Sequence, residues 1–154
     1  MKILFEKIEK IINLEISKIN KKIKGTFFLE QLKYNLLDSL NQIFQDNEFN
    51  NIKSNKFKTF YENEIQKIEI DIISYDKSIS FLNYSLDKNL LIICLEGNVD
   101  IKLMSTKPSQ NMEVKLTKKT GITLSKSEKI SQIISKNSTI MSIYAQDKNL
   151  NIEK

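Results

Sequence analysis

The chemistry open to this chain is narrowed first by a residue it lacks. Its 154 residues contain no histidine. That removes Ser-His-Asp and Cys-His nucleophile activation, imidazole acid–base work and every His-ligated zinc, iron or copper site. Carboxylate, lysine, tyrosine and backbone groups remain. Glu96 is the candidate base, because it closes an apolar run at Leu95-Glu96-Gly97-Asn98 where burial would raise its pKa toward neutrality. No second carboxylate stands beside it at a recognisable spacing, so no catalytic residue is assigned and no metal or other cofactor is expected. Cys94, the one cysteine, lies inside the same run. It reads as a small packed hydrophobe, since a reactive thiolate needs a nearby cation or helix N-terminus. A single cysteine forms no intramolecular disulfide, so nothing points to an oxidising compartment.

Charge adds little. The net charge is +5, and all 24 basic residues are lysine. Residues 1–66 hold 11 lysines against 9 acids and residues 67–154 hold 13 against 10, with no basic block. Arginine supplies the bidentate contacts of specific nucleic-acid readout, and none is present, so nucleic-acid binding is not expected. The N-terminal Met1-Lys-Ile-Leu-Phe is interrupted by Glu6, Lys7, Glu9 and Lys10 before a signal-peptide core forms, and no window reaches the roughly 20 apolar residues of a transmembrane helix. The expected location is the cytoplasm.

The elements that would position these groups fall into a helical part and a strand part. Over residues 2–24, Leu4, Phe5, Ile8, Ile11, Ile12, Ile16, Ile19 and Ile23 share an arc of about 140°, which predicts an amphipathic helix stopped at Gly25. Its apolar side is expected to dock on the chain's own core, and Glu15 to escape along the edge near Lys18. A second helix is predicted from about Thr26, the N-cap, to Gln45, through Leu29, Leu32, Leu36, Leu37, Leu40, Ile43 and Phe44. Phe57, Phe60, Tyr61 and Ile65 predict one more short helix. From Ile68 the period becomes two. Strands are expected around Ile68–Ile72, Ile79–Leu86, Leu90–Leu95, Val99–Leu103, Met112–Leu116, Ile122–Leu124, Ile130–Ile134 and Ile140–Ala145. Turns are expected at Gly97-Asn98, at Lys118–Gly121 and at Asn137-Ser138, and a loop at Ser105–Gln110. The organisation predicted is a helical segment over 1–66, an antiparallel β-sandwich or barrel over 67–147 and a polar tail over 148–154.

Residues 67–147 resemble the cupin family of jelly-roll, double-stranded β-helix barrels. The resemblance is carried by the apolar strand ending in Leu95-Glu96-Gly97-Asn98, by Lys118-Lys119-Thr120-Gly121-Ile-Thr-Leu124, and by Asn137-Ser138-Thr139-Ile140-Met-Ser-Ile-Tyr144. It implies an α+β chain, N-terminal helices followed by an antiparallel barrel. The positions where the family keeps its metal ligands fall on Tyr84, Leu86, Leu90 and Gln132, none a usual ligand there. The resemblance therefore implies a member without metal that retains only the barrel and its cavity. Tyr84, Glu96 and Gln132 would line that cavity.

Three functions follow as expectations. The first is a metal-free, non-catalytic domain that binds a small molecule, regulates or contacts another protein, with barrel mouths a common ligand location. A homodimer through a barrel edge or the N-terminal helix belongs to the same reading. The alternatives are an enzyme using carboxylate and tyrosine acid–base chemistry in the barrel, and a protein that binds a partner or a membrane surface through helix 2–24.

Overall fold

The computed structural model describes residues 2–41, 56–62, 66–74, 79–85, 88–104, 112–126 and 128–148. Among them the architecture is α+β, two helices followed by an antiparallel sheet. The helices are α1 (Lys2–Lys18) and α2 (Gly25–Ser39), and the strands are β1 (Lys56–Glu62), β2 (Gln66–Ser74), β3 (Ile79–Ser85), β4 (Asn89–Met104), β5 (Met112–Thr117), β6 (Thr120–Leu124) and β7 (Lys129–Asp147).

Two long strands carry the sheet. β4 and β7 pair along nearly their whole lengths, from Asn89↔Ala145 to Met104↔Lys129. Each then hands its outer edge to two different neighbours. The first half of β4 pairs with β6 and its second half with β5, while β7 pairs with β3 through Lys129–Ser135 and with β2 through Thr139–Asp147. The join between the halves is a pair of offset irregularities, with register shifts between Cys94 and Glu96 and between Glu96 and Asn98. Gly97 has φ +82° and Asn137 φ +49°. A Cβ on Gly97 would run into the carbonyl oxygen of Asn137 and lie 2.8 Å from Ser138 Cα. Glycine is required here on both counts, left-handed backbone and close approach.

Because the sheet folds over at this join, the Leu90–Leu95 run is buried on both sides, and none of its six residues is more than 3% exposed. Leu91, Ile93 and Leu95 face one core with Ile68, Ile70, Ile72, Met141, Ile143 and the apolar sides of both helices. Leu90, Ile92 and Cys94 face a second core with Val99, Ile101, Leu103, Leu116, Leu124, Ile130 and Ile140. Strand periodicity sends neighbours to opposite faces, so an unbroken apolar run is what two-sided burial requires.

The helices close one side of the sheet. α1 buries Phe5, Ile8, Ile12 and Ile16, and α2 buries Phe28, Leu29, Leu32 and Leu36. Glu15, 5% exposed, accepts a 2.6 Å hydrogen bond from the Ser39 hydroxyl and a 3.2 Å bond from Lys18, joining the two helices. The Thr59 hydroxyl of β1 donates to Glu9 of α1 at 2.5 Å.

Several expectations are corrected. The first helix ends at Lys18 rather than 24, where the Asn20 side chain accepts from the Lys22 N–H at 2.9 Å and diverts the backbone from the helix ladder. Gly25 opens α2 instead of ending α1, its φ of +67° turning the chain, and the residue at the cap position is Lys24 rather than Thr26, with no side-chain capping bond. The short helix at Phe57–Tyr61 is strand β1, paired from Lys56↔Ile73 to Glu62↔Lys67. Three apolar residues at mixed spacing fit either period, and pairing with β2 decides. The turns expected at Gly97-Asn98 and Asn137-Ser138 are the facing irregularities inside β4 and β7, which are continuous strands. Ile43, Phe44, Ile65, Leu86 and the 105–110 loop lie outside the described residues.

Candidate functional site

The interior enclosed by the two halves of the sheet is where a barrel ligand would sit, and the described residues that face it are buried and mostly aliphatic. Cys94, Val99, Ile101 and Ile130 are fully buried there, with Leu90, Ile92, Leu116 and Leu124 almost so. The Cys94 thiol donates to the carbonyls of Glu96 and Gly97, each at 3.4 Å, and burial pushes its pKa up to about 11. It is a protonated core group, not a nucleophile.

The three candidate residues occupy separate register positions. Glu96 lies at the join, opposite Thr139, with Oε1 accepting the Gly97 N–H at 3.3 Å and Oε2 3.3 Å from Lys118 Nζ without full hydrogen-bond geometry. Gln132 lies on β7 between Leu82 and Lys102, and Tyr84 is opposite Ile130 on β3. Thr139 and Gln132 are seven positions apart on one strand, on the order of 20 Å along it. The Tyr84 side chain lies outside the described residues.

An open groove lies on the outside, between α2 and β6. A groove of about 450 Å³ is lined by Thr26, Glu30 and Lys33 from the helix, by Gly121, Ile122 and Thr123 from the strand, and by Ser125 and Glu128 after it. The helix supplies its residues at spacings of four and three, hence from one side. Gly121 is needed for the fit against β4: a Cβ there would meet the Ile92 carbonyl oxygen at 2.9 Å and Ile93 Cγ1 at 3.0 Å, with Lys33 Cδ in ordinary contact at 3.5 Å. The Lys33 stem lies across β6 while its ammonium reaches Glu30 Oε2 at 3.0 Å. The Thr123 hydroxyl is aimed at the Glu30 carboxylate and, with Lys33, holds its pKa below the usual value against the opposing effect of burial, although the hydroxyl oxygen falls short of full hydrogen-bond geometry. Glu128 closes the following turn, its Oε1 accepting the Ser125 N–H at 2.9 Å. The groove thus presents two carboxylates and one ammonium. Sequence reasoning missed it because its two walls are some 90 residues apart in the chain.

A smaller cleft of about 110 Å³ lies against β2 and β7, lined by Phe60, Lys67, Ile68, Glu69, Lys88, Tyr144 and Gln146. Beside it Lys58 Nζ bridges Glu69 Oε2 at 3.3 Å and Asp71 Oδ1 at 3.6 Å. Burial raises the Asp71 pKa above its ordinary value, against the attraction of Lys58. Among the described residues no group of three or more His, Cys, Asp or Glu is placed to hold a metal ion, and no helix is long and apolar enough to cross a membrane.

Helices leading into a folded-over antiparallel sheet define the class, an α+β chain. Among solved structures the chain is similar to a cupin superfamily protein from Desulfitobacterium hafniense DCB-2, at 12% identity and a TM-score of 0.43 over 63% of this chain and 81% of that one. It is also similar to the EutQ protein of Clostridium difficile, at 12% identity and a TM-score of 0.38 over 62% and 69%. The Drosophila melanogaster CENP-C cupin domain matches at 6% identity and a TM-score of 0.42 over 59% and 75%. No family model matches the sequence, and no curated protein is a significant match. At these overlaps the likeness concerns the course of the chain and assigns no role to any residue.

Proposed function

We propose that this chain is a non-catalytic binding domain that takes its ligand on the outside of the sheet, in the groove between α2 and β6. The observation that carries the reading is the contrast between the aliphatic side chains that the described residues turn to the interior and an open exterior groove with converging polar groups. Its volume falls in the range of about 300–1,000 Å³ common to small-ligand sites. The absence of histidine supports the metal-free part of the proposal. The alternative that uses residues 2–24 as a partner or membrane surface loses its apolar side, since Phe5, Ile8, Ile12, Ile16 and Ile19 are buried in the chain's own core.

The test is a titration of ¹⁵N- and methyl-labelled protein with small polar amines, lysine amide among them, followed by NMR. Shifts gathered at Thr26, Lys33, Gly121 and Thr123 are expected. Shifts confined to the methyls of Leu90, Val99, Ile101 and Leu116 would place the ligand inside and refute the proposal.

A further inference from the structure

We infer that the ligand of this groove is an extended peptide that adds to β6 as a further strand and directs a cationic side chain at Glu30 and Glu128. The inference rests on the groove being the binding site and goes on to name what fills it.

The first observation is the edge. β6 pairs with β4 from Leu90↔Leu124 to Cys94↔Thr120, and among the described residues no strand pairs with its other side. A free edge presents backbone N–H and C=O groups in a row, and proteins usually blunt such edges with charged side chains. β5 carries Glu113 and Lys115, and β1 carries Lys58 and Glu62. β6 reads Thr-Gly-Ile-Thr-Leu and carries no charge. Its edge is left receptive, and the groove runs along it.

The second observation is size. A volume of about 450 Å³ spread along the five positions from Gly121 to Ser125, roughly 17 Å of extended chain, leaves a cross-section about 5 Å on a side. That is close to the strand-to-strand spacing of a sheet, so one extended backbone fills the space between the β6 edge and α2. Strand addition of this kind draws affinity from main-chain hydrogen bonds and selectivity from alternate side chains.

The third observation is charge. Lys33 answers one carboxylate, and Glu30 and Glu128 together leave the lining negative by one. The Glu30 side chain is 41% exposed and therefore open to a second cation. A lysine or arginine on the peptide face turned toward α2 meets it.

The experiment titrates the full chain with acetyl-Thr-Val-Lys-Val-Thr-amide, with the same peptide carrying Glu for Lys, with two versions methylated on alternate backbone nitrogens, and with lysine amide alone. Amide shifts of Gly121, Ile122 and Thr123 are the readout. The Lys peptide is expected to bind at least tenfold more tightly than the Glu peptide. One methylated version should lose at least tenfold and the other should bind nearly normally, because only one set of N–H groups faces the edge. Glu30→Gln should shrink the Lys-over-Glu preference severalfold. Equal binding of the Lys peptide and both methylated versions would overturn strand addition. Groove shifts with lysine amide but none with any peptide would also overturn it and leave the binding site standing. No groove shift with any probe would remove both.

Discussion

Gly97→Ala tests the account of the folded sheet most directly. Two effects act at that position and are separable. The left-handed backbone, φ +82°, costs a non-glycine residue about 1–2 kcal/mol. The new Cβ would also collide with the Asn137 carbonyl and sit 2.8 Å from Ser138 Cα, both backbone atoms of the partner strand. Forcing a methyl into such a contact costs about 1–3 kcal/mol through displaced backbone. The sum is about 2–5 kcal/mol, a large part of the roughly 5–15 kcal/mol that holds a domain of this kind together. Gly25→Ala is the matched control. Its φ is +67°, but the nearest atoms to a new Cβ are the side-chain ends of Asn89 at 3.7 Å and Asp147 at 4.0 Å. Only the backbone effect applies, partly offset by the lower entropy of the unfolded alanine chain, so about 1 kcal/mol is expected. Equilibrium urea unfolding reads both. With a slope of about 2 kcal/mol per molar, Gly97→Ala should lower the midpoint by about 1–2.5 M and Gly25→Ala by about 0.5 M. Equal midpoints for the two variants would show that β4 and β7 are not pressed together at this join.

Three further outcomes follow from the packing and the titrating groups. Ile92→Ala and Ile93→Ala, on opposite faces of β4, should each cost about 2–5 kcal/mol; a tolerated substitution at either position would show that one of the two cores is not closed. Ser39→Ala removes the first cause of the lowered Glu15 pKa and should cost about 2 kcal/mol at neutral pH. A depressed carboxylate contributes above its unfolded pKa near 4.5 and loses that contribution as pH falls through the folded value, so the deficit should close in acid thermal melts. Asp71 has the opposite sign: its raised pKa favours folding below about 3.8 and loses that benefit as pH rises through the folded value. Asp71→Asn should accordingly raise Tm at pH 7, by the equivalent of roughly 0.5 kcal/mol after the exposed Lys58 is allowed for, and leave it unchanged near pH 3.

What the sequence made legible was local. The uninterrupted Leu90–Leu95 run announced a strand buried on both faces, and spacings of three and four residues announced both helices. The misreadings have one physical origin. A left-handed Gly or Asn in a polar stretch between two apolar runs marks a hairpin turn and an in-strand irregularity equally well, and only the distant partner strand decides which. Gly97 and Asn137 decide it for each other, 40 residues apart. Phe57–Tyr61 became a strand for the same reason, because β2 was there to pair with it. The groove was illegible on similar grounds, since a helix side and a strand edge meet there only after the sheet has formed. Glu96 was read as a base from its place at the end of an apolar run, yet its carboxylate accepts the Gly97 N–H and faces Lys118 at the join.

The central position of β7 also fixes when this protein can fold. β2 and β3 pair with it in the sheet, and β4 lies against it from end to end. A nascent chain that has not yet yielded Lys129–Asp147 can form its helices and the local hairpins of β1 with β2 and of β4 with β5 and β6, but not the sheet that unites them. Pairings this distant in sequence close slowly, because the loop entropy is lost before the contacts are gained. Until then Leu90–Leu95 stands exposed on both faces, a six-residue apolar segment of the kind that seeks strand partners on other chains. Assembly of the sheet therefore waits for β7, and the interval before it is the time of greatest risk of aggregation.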